Sequence, residues 1–473
     1  MLYDLSFLRK GGVFPPREEV KRLDAYKVNA LLMEDEMWSA LPEHKQRVLY
    51  ILSHFALNAD KVYLYSANYW SDFVNKMQEL AYGNPPEITA TDNDEQVNDI
   101  LVKTDCINKA DEGCADFVAL GDWVTKIVDN TFINVNPSTW FPIVSRENVK
   151  EIVAHVLAWV VPVGDKKWEL HVQVHEKGKY TNRAFAIANF NADAWYRVEK
   201  TGQNIKMPSY EIGKELEESK TDFKLGVFST GLDDFAVVAS ANNPGTRRIC
   251  GISDFDRITD AIAEYNIRMT LKDVVLDKHS APIMYGPQLA GSEEGLGNYI
   301  EVPNGESAPG YLTWDASMQA VENTIEGLKN DISNLSGMGS LLNSKTFGES
   351  QGYDALMIKL APALMRSSRK KAILERHLKK LISTISVRYG GKIDEKDISV
   401  LWHDGIPTTE TVRADIARKH LDTGWSFKRV LMDDYGFTEE DAEAIIEERR
   451  LEQPAIPSFG MDDSFDMQGG EDV

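Results

Sequence analysis

Between Ser253 and Ala281 apolar residues recur at intervals of three and four. Phe255, Ile258, Ile262, Tyr265 and Met269 share one face of a helix with 3.6 residues per turn. Ser253 ahead of Asp254 and Asp256 supplies the cap and acidic first turn that start such a helix, and nothing interrupts the pattern before Pro282. A continuous helix over this stretch spans on the order of 40 Å, long for an ordinary globular domain. The segment from Tyr285 to Gly310 then changes character, with six glycines, three prolines and the acids Glu293, Glu294, Glu301 and Glu306. This is turn and irregular-strand chemistry. From Asp315 a second helical pattern follows, with Met318, Val321, Ile325, Leu328, Ile332 and Leu335 in an unbroken three-four alternation. Such a seam needs a partner helix along its length, and periodicity alone is satisfied by an antiparallel helix pair inside a globular domain.

Ser336 to Gly352 is too polar and glycine-rich to hold a helix, and the helical pattern resumes from Ala355 to Val387. Pro362 lies inside it, where it removes a backbone donor and predicts a kink. The C-terminal half of this helix carries Arg366, Arg369, Lys370, Lys371, Arg376, Lys379 and Lys380 against Glu375 alone. In an acidic chain that face is expected to be solvated or paired intramolecularly, ahead of a nucleic-acid contact.

Residues 17 to about 130 read as helices, with Trp38, Tyr50, Tyr63, Tyr65, Tyr69 and Trp70 expected in the core. From Val156 to about Val238 the period becomes two. Trp168, Leu170, Val172 and Val174 alternate with Glu169, His171, Gln173 and His175, which predicts a half-buried strand. His171 and His175 share the polar face without a nearby third ligand, so no metal site is expected. Helical periodicity returns past Thr408, and after Leu451 comes a tail with six acids and no Lys or Arg, expected to be flexible.

The 473 residues suffice for two or three domains, and 43% hydrophobic content fills real cores. A net charge of −22 argues against a general DNA-binding surface, because neutralising phosphates takes clustered Lys and Arg. Cys106, Cys114 and Cys250 are too few and too scattered for a disulfide framework or a zinc site and fit a reducing compartment. The start MLYDLSFLRKGG lacks the order of a signal peptide. The longest apolar run, Ile152 to Val163, contains His155 and Pro162 and is too short to span a bilayer. Synthesis in the cytoplasm and no membrane association are therefore expected. The phosphate-binding loop, the His-Glu-x-x-His pair and the Gly-x-Ser-x-Gly elbow are all missing from the sequence. With 74 acidic residues, a chance carboxylate pair carries no weight.

Four stretches, taken in order, resemble the portal proteins of tailed double-stranded-DNA bacteriophages of the long-tailed type. The first is SANYWSDFVNKMQELAYGNPPEIT (Ser66 to Thr89) with CADFVALGDWVTKIV and INVNPSTWFPI behind it. The second is NNPGTRRICGISDFDRITDAIAEYN (Asn242 to Asn266), similar to the family's entry into its stem helix. The third is FGESQGYDALMIKLAPAL (Phe347 to Leu364), similar to the tunnel loop and kinked helix. The last runs from LWHDGIPTTETV to Glu448, similar to the closing strand and helical crown. One departure is that Ser350 to Leu356 carries two extra residues between Gly352 and Ala355, which shifts the loop register by a few positions.

The resemblance implies an α+β portal fold with a mixed wing domain (1–252), stem helices (253–282 and 315–335) around a small clip (283–314), a tunnel loop (336–352), a Pro-kinked tunnel helix with wing (353–400), and an α-helical crown with acidic tail (401–473). It implies a ring of twelve copies at one capsid vertex of the virion, a conduit for double-stranded DNA with no chemical step and no cofactor or metal. The implied partners are the large terminase subunit, the major capsid protein, the scaffolding protein and the head-tail adaptor. Ile258, Ile262, Tyr265, Val321, Ile325 and Leu328 are then the expected stem interface. Glu293, Glu294, Glu301 and Glu306 are the clip docking surface. Asn343, Ser344, Lys345, Thr346, Phe347, Gly348, Glu349 and Ser350 are the DNA-proximal loop. An acidic wall suits a conduit, because it repels phosphates and lets DNA slide, while plain solubility accounts for the same charge. The competing reading is an acidic cytosolic enzyme of unrecognised α+β fold whose helix pair is ordinary core.

Overall fold

The computed structural model describes residues 1–54, 63–164, 167–191, 208–280, 283–286, 299–301, 310–312, 318–339, 353–403 and 410–452. The chain opens with β1 (Val13–Phe14), α1 (Val20–Met33), α2 (Met37–Ala40), α3 (Pro42–His54), α4 (Tyr69–Tyr82), β2 (Glu87–Ala90), α5 (Asp94–Thr104) and α6 (Cys106–Ala119). Strands follow: β3 (Asp122–Val128), β4 (Thr131–Val135), β5 (Trp140–Val144), β6 (Ile152–Pro162), β7 (Trp168–Glu176), β8 (Lys179–Ile187), β9 (Tyr210–Glu215), β10 (Gly226–Ser229) and β11 (Val237–Ala241). Next come α7 (Thr259–Ser280), β12 (Ile283–Gly286), β13 (Tyr299–Glu301), β14 (Gly310–Leu312), α8 (Met318–Ser336), α9 (Tyr353–Ser386) and β15 (Ile398–Leu401). These elements belong to one compact unit, Met1–Gly405.

The large sheet runs β1-β9-β8-β7-β6-β5. β8 uses one edge twice, pairing with β10 over Lys179–Asn182 and with β9 around Phe185 and Ile187. A second sheet runs β11-β3-β4, and β15 pairs with β2. One face of the large sheet packs Val156, Val172 and Phe185 against Phe14, Leu23 and Tyr26. The other face brings Trp140 and Leu157 onto Val124 and Val237 of the second sheet.

This second contact corrects the expectation of a half-buried β7. Glu169, Gln173 and His175 are all buried, because the polar side of the strand is covered as well. Lys126 of β3 donates to Gln173 Oε1 at 2.6 Å, and Phe223 stacks on His171 at 4.3 Å. Burial pulls the His175 imidazole down to about 3 and that of His155 to about 4, so both are neutral at pH 7.

The aromatic expectation is also corrected in part. Trp70 is fully buried, and Trp38, Tyr65 and Tyr69 pack on the principal core. Tyr50 and Tyr63 are instead 66% and 72% exposed. The apolar run from Ile152 is a sheet strand, and no described helix is long and apolar enough to cross a membrane.

The second compact unit covers Ile406–Val473. It holds α10 (Glu410–Asp422), α11 (Phe427–Tyr435) and α12 (Glu439–Glu452). Ser426 Oγ caps α11 by accepting from Arg429 N–H, and Gly436 ends it at φ 73°, the left-handed conformation that glycine adopts without cost. Val430, Leu431 and Ala442 are buried within the unit. The tail past Glu452 lies outside the described residues.

Candidate functional site

The helix pair begins at a turn. Ser253 Oγ accepts from Phe255 N–H at 2.9 Å and donates to Ala119 O at 2.6 Å. A short 3-10 turn, Phe255–Arg257, follows, and the α-helix begins only at Thr259. The expected single helix from Ser253 is therefore split, with Ile258 at the joint. Ile258, Ile262 and Tyr265 are buried, and Val321, Ile325 and Leu328 of α8 pack against the same core. Lys272 bridges Glu322 across the pair at 3.4 Å.

The near half of α7 is enclosed on further sides. Asn266 Oδ1 accepts from Ala67 N–H at 2.8 Å, and Thr270 Oγ1 from Tyr65 N–H at 3.0 Å. Tyr265 meets Tyr69 edge-on at 5.5 Å. Burial raises the Tyr265 phenol further above its ordinary range. These polar ties give helix α7 a fixed root in the α1–α4 layer, since a buried amide or hydroxyl must be bonded.

Below that root lies a buried charge cluster. Asp254 is 0% exposed and Lys370 4%. Lys370 Nζ reaches Asp254 Oδ2 and Asn242 Oδ1, each at 2.6 Å. Arg366 Nη2 donates to Asp254 Oδ1 at 2.9 Å, and its Nη1 donates to Leu335 O at 3.2 Å and Ser336 O at 2.5 Å. Asn243 Nδ2 adds a bond to Asp254 Oδ1 at 3.0 Å. Burial pushes the Asp254 carboxyl up, but Lys370 and Arg366 outweigh it and hold the group below its ordinary value, so it is ionised. One guanidinium thus joins the start of the 253–280 segment, the C-terminal end of α8 and the body of α9.

The glycines of the Asn242–Asp254 segment permit this geometry. A Cβ on Gly251 would lie 1.8 Å from Gly121 O, so only glycine allows the segment to lie against the α6–β3 turn. Asn242 N–H donates to Gly121 O at 2.8 Å, and Asp254 N–H to Val118 O at 3.1 Å.

Helix α9 is continuous through Pro362, which leaves Ile358 O without its helical donor. Much of its basic half is paired within the chain. Besides Arg366 and Lys370, Lys371 donates to His403 O, Lys379 bridges Glu375, and Lys380 bridges Asp234 and Glu395. His377 is fully enclosed, stacked on Trp123 at 3.7 Å with Ser240 Oγ and Thr125 Oγ1 at its nitrogens. Burial lowers its imidazole to about 3.

Glu301 ends β13, whose backbone pairs with β12 beside β14 in a three-stranded sheet. Glu293, Glu294 and Glu306 of the expected docking surface lie outside the described residues, as do Asn343, Ser344, Lys345, Thr346, Phe347, Gly348, Glu349 and Ser350 of the expected tunnel loop. Among the described residues no group of three or more His, Cys, Asp or Glu side chains is placed to hold a metal ion. In the sequence Asp254 reads as a first-turn acid and Arg366 and Lys370 as two of seven basic positions, with nothing that joins the three into a cluster. The available signal was the four-residue spacing of Arg366 and Lys370, which puts both on one helix face.

Fold and site define a mixed α+β subunit organised around a rooted helix pair and a long basic helix. A sequence model of the family described as phage portal protein, SPP1 Gp6-like, matches residues 64–455. The chain belongs to that family, whose members are structural proteins of the bacteriophage capsid vertex that serve DNA packaging and connection. No curated protein matches the chain in sequence.

Proposed function

We propose that twelve copies of this chain close into a ring at one capsid vertex, through which double-stranded DNA enters during packaging and leaves at ejection. Residues 253–282 and 315–335 form the stem, 283–314 the clip, 336–352 the tunnel loop, 353–400 the tunnel helix with part of the wing, and 401–473 the crown. Residues 1–252 form the rest of the wing. The clip docks the large terminase subunit and later the head-tail adaptor, while the outer body meets the major capsid protein and the scaffolding protein. DNA movement needs an ATPase, and this sequence contains no phosphate-binding loop, so the motor is a separate protein.

The observation that carries this reading is the convergence on Arg366. The segments assigned to the two stem helices and the tunnel helix meet at one buried ion cluster, in a chain whose family match covers residues 64–455. A conduit under load needs its helix pair tied rigidly to the body. Electron microscopy of the purified chain tests it. Class averages viewed down the axis should show twelve-fold rings with an open channel, and monomers or dimers would overturn the reading.

A further inference from the structure

Two cations of α9 differ from their neighbours. Arg369 and Arg376 are exposed, and among the described residues neither has a hydrogen-bond or ion-pair partner. They share a stripe with Ile358, Pro362, Met365 and Ala372, all exposed. At 3.6 residues per turn these six positions fall within an arc of about 80° over about 27 Å of helix. Ile358 is 75% exposed and Met365 70%. Lys359 is exposed too, but it lies about 100° round the helix from Ile358. A phosphate backbone satisfies arginines but leaves a row of aliphatic side chains without apolar contact. A protein face offering acids beside an aliphatic residue satisfies both.

This chain has such a face. On α5, Glu95, Asp99 and Val102 are exposed and lie within an arc of about 60°. Val102 is 72% exposed, and among the described residues Asp99 is held only by the solvent-exposed Lys103 at 2.5 Å. Laid antiparallel, Val102 meets Met365, Asp99 meets Arg369, and Glu95 comes within reach of Arg376. We propose that the Ile358–Arg376 stripe is a subunit contact, occupied by the Glu95–Asp99–Val102 strip of a neighbouring copy. Two different patches meet, which is the heterologous arrangement that generates rings. The proposal rests on the portal reading and assigns residues to its interface.

Charge exchange tests it. The Arg369→Glu/Arg376→Glu variant, run by size-exclusion chromatography with light scattering, should lose the ring and elute near the 53.2 kDa monomer mass, with an unchanged far-ultraviolet circular dichroism spectrum because both sites are exposed in the folded subunit. Adding Glu95→Lys and Asp99→Lys should restore the ring. Rings that persist in the double variant, or that do not return in the quadruple variant, overturn the proposal. Rings that persist with altered DNA retention would place the stripe against DNA, which also overturns it. A wild-type chain that forms no ring at all is a different outcome, and it removes the proposed ring itself.

Discussion

Replacing Asp254 with alanine removes the anion to which Lys370 and Arg366 both bond. At an effective dielectric constant of about 20, each pair at its observed separation has a gross attraction of about 6 kcal/mol. Desolvating three ions costs several kcal/mol apiece, so the intact cluster contributes little net stability. Removing only the anion does not reverse both terms. Lys370, 4% exposed, stays buried without its counter-charge, while Arg366, with 17% of its side chain exposed, can turn partly to water. The expected cost is about 3–5 kcal/mol. Domains of about 150–250 residues lose roughly 2–4 °C per kcal/mol, and this unit is larger, so the melting temperature should fall by on the order of 5–10 °C. Lys370→Met in the Asp254→Ala background should recover more than half of that loss, since it removes the stranded cation. Scanning calorimetry of wild type, both single variants and the double variant measures the coupling. An Asp254→Ala protein that melts with wild type, or a double variant no better than Asp254→Ala, would refute the argument.

Ile325→Asp places a charge in the buried core that α8 shares with α7, and light scattering should show rings lost. Deleting residues 291–297 should leave rings intact but abolish genome packaging in a complementation assay, whereas normal packaging would move the motor contact elsewhere. Lys345→Ala should leave assembly unchanged and lower genome retention in filled heads, more at low salt than at high salt, since phosphate contacts are screened. Stability should also depend on pH. Below pH 6.5 unfolding lets His155, His175 and His377 take up three protons that their folded pKa values of about 4, about 3 and about 3 exclude. Below about pH 6 the folded chain itself holds protons on Asp116 and Asp122, whose carboxyls burial raises to about 6. For these five groups the net uptake on unfolding is one proton, a loss of about 1.4 kcal/mol per pH unit between about pH 6 and pH 4. His377→Gln should flatten that slope in denaturation titrations at stepped pH, and an unchanged slope would contradict the assignment.

The α7–α8 pair was legible because its signal is local. Three-four periodicity placed α8 to within three residues and the end of α7 to within one, but set the start of α7 six residues too early, and the order of four weak motifs pointed to the family. What the sequence hid depends on contacts between distant segments. Alternation along β7 showed that the strand had two faces but not that β3 and Phe223 cover the polar one. Asp254 looked like an ordinary first-turn acid, because its partner Arg366 is 112 residues away. Ser253 looked like a helix cap, yet its hydroxyl also binds Ala119 O, and that tie forms the short turn before α7. The pairing of the basic helix was foreseen as one alternative, but which cations stay unpaired is set by where β11, β15 and the Asn242–Asp254 segment pack.

The most direct test of the central claim is the native mass of the purified chain. Twelve subunits of 53.2 kDa should give a single assembly of about 640 kDa, as twelve-fold cyclic closure requires. A monomer or dimer that persists at every protein concentration and ionic strength would contradict the twelve-fold ring.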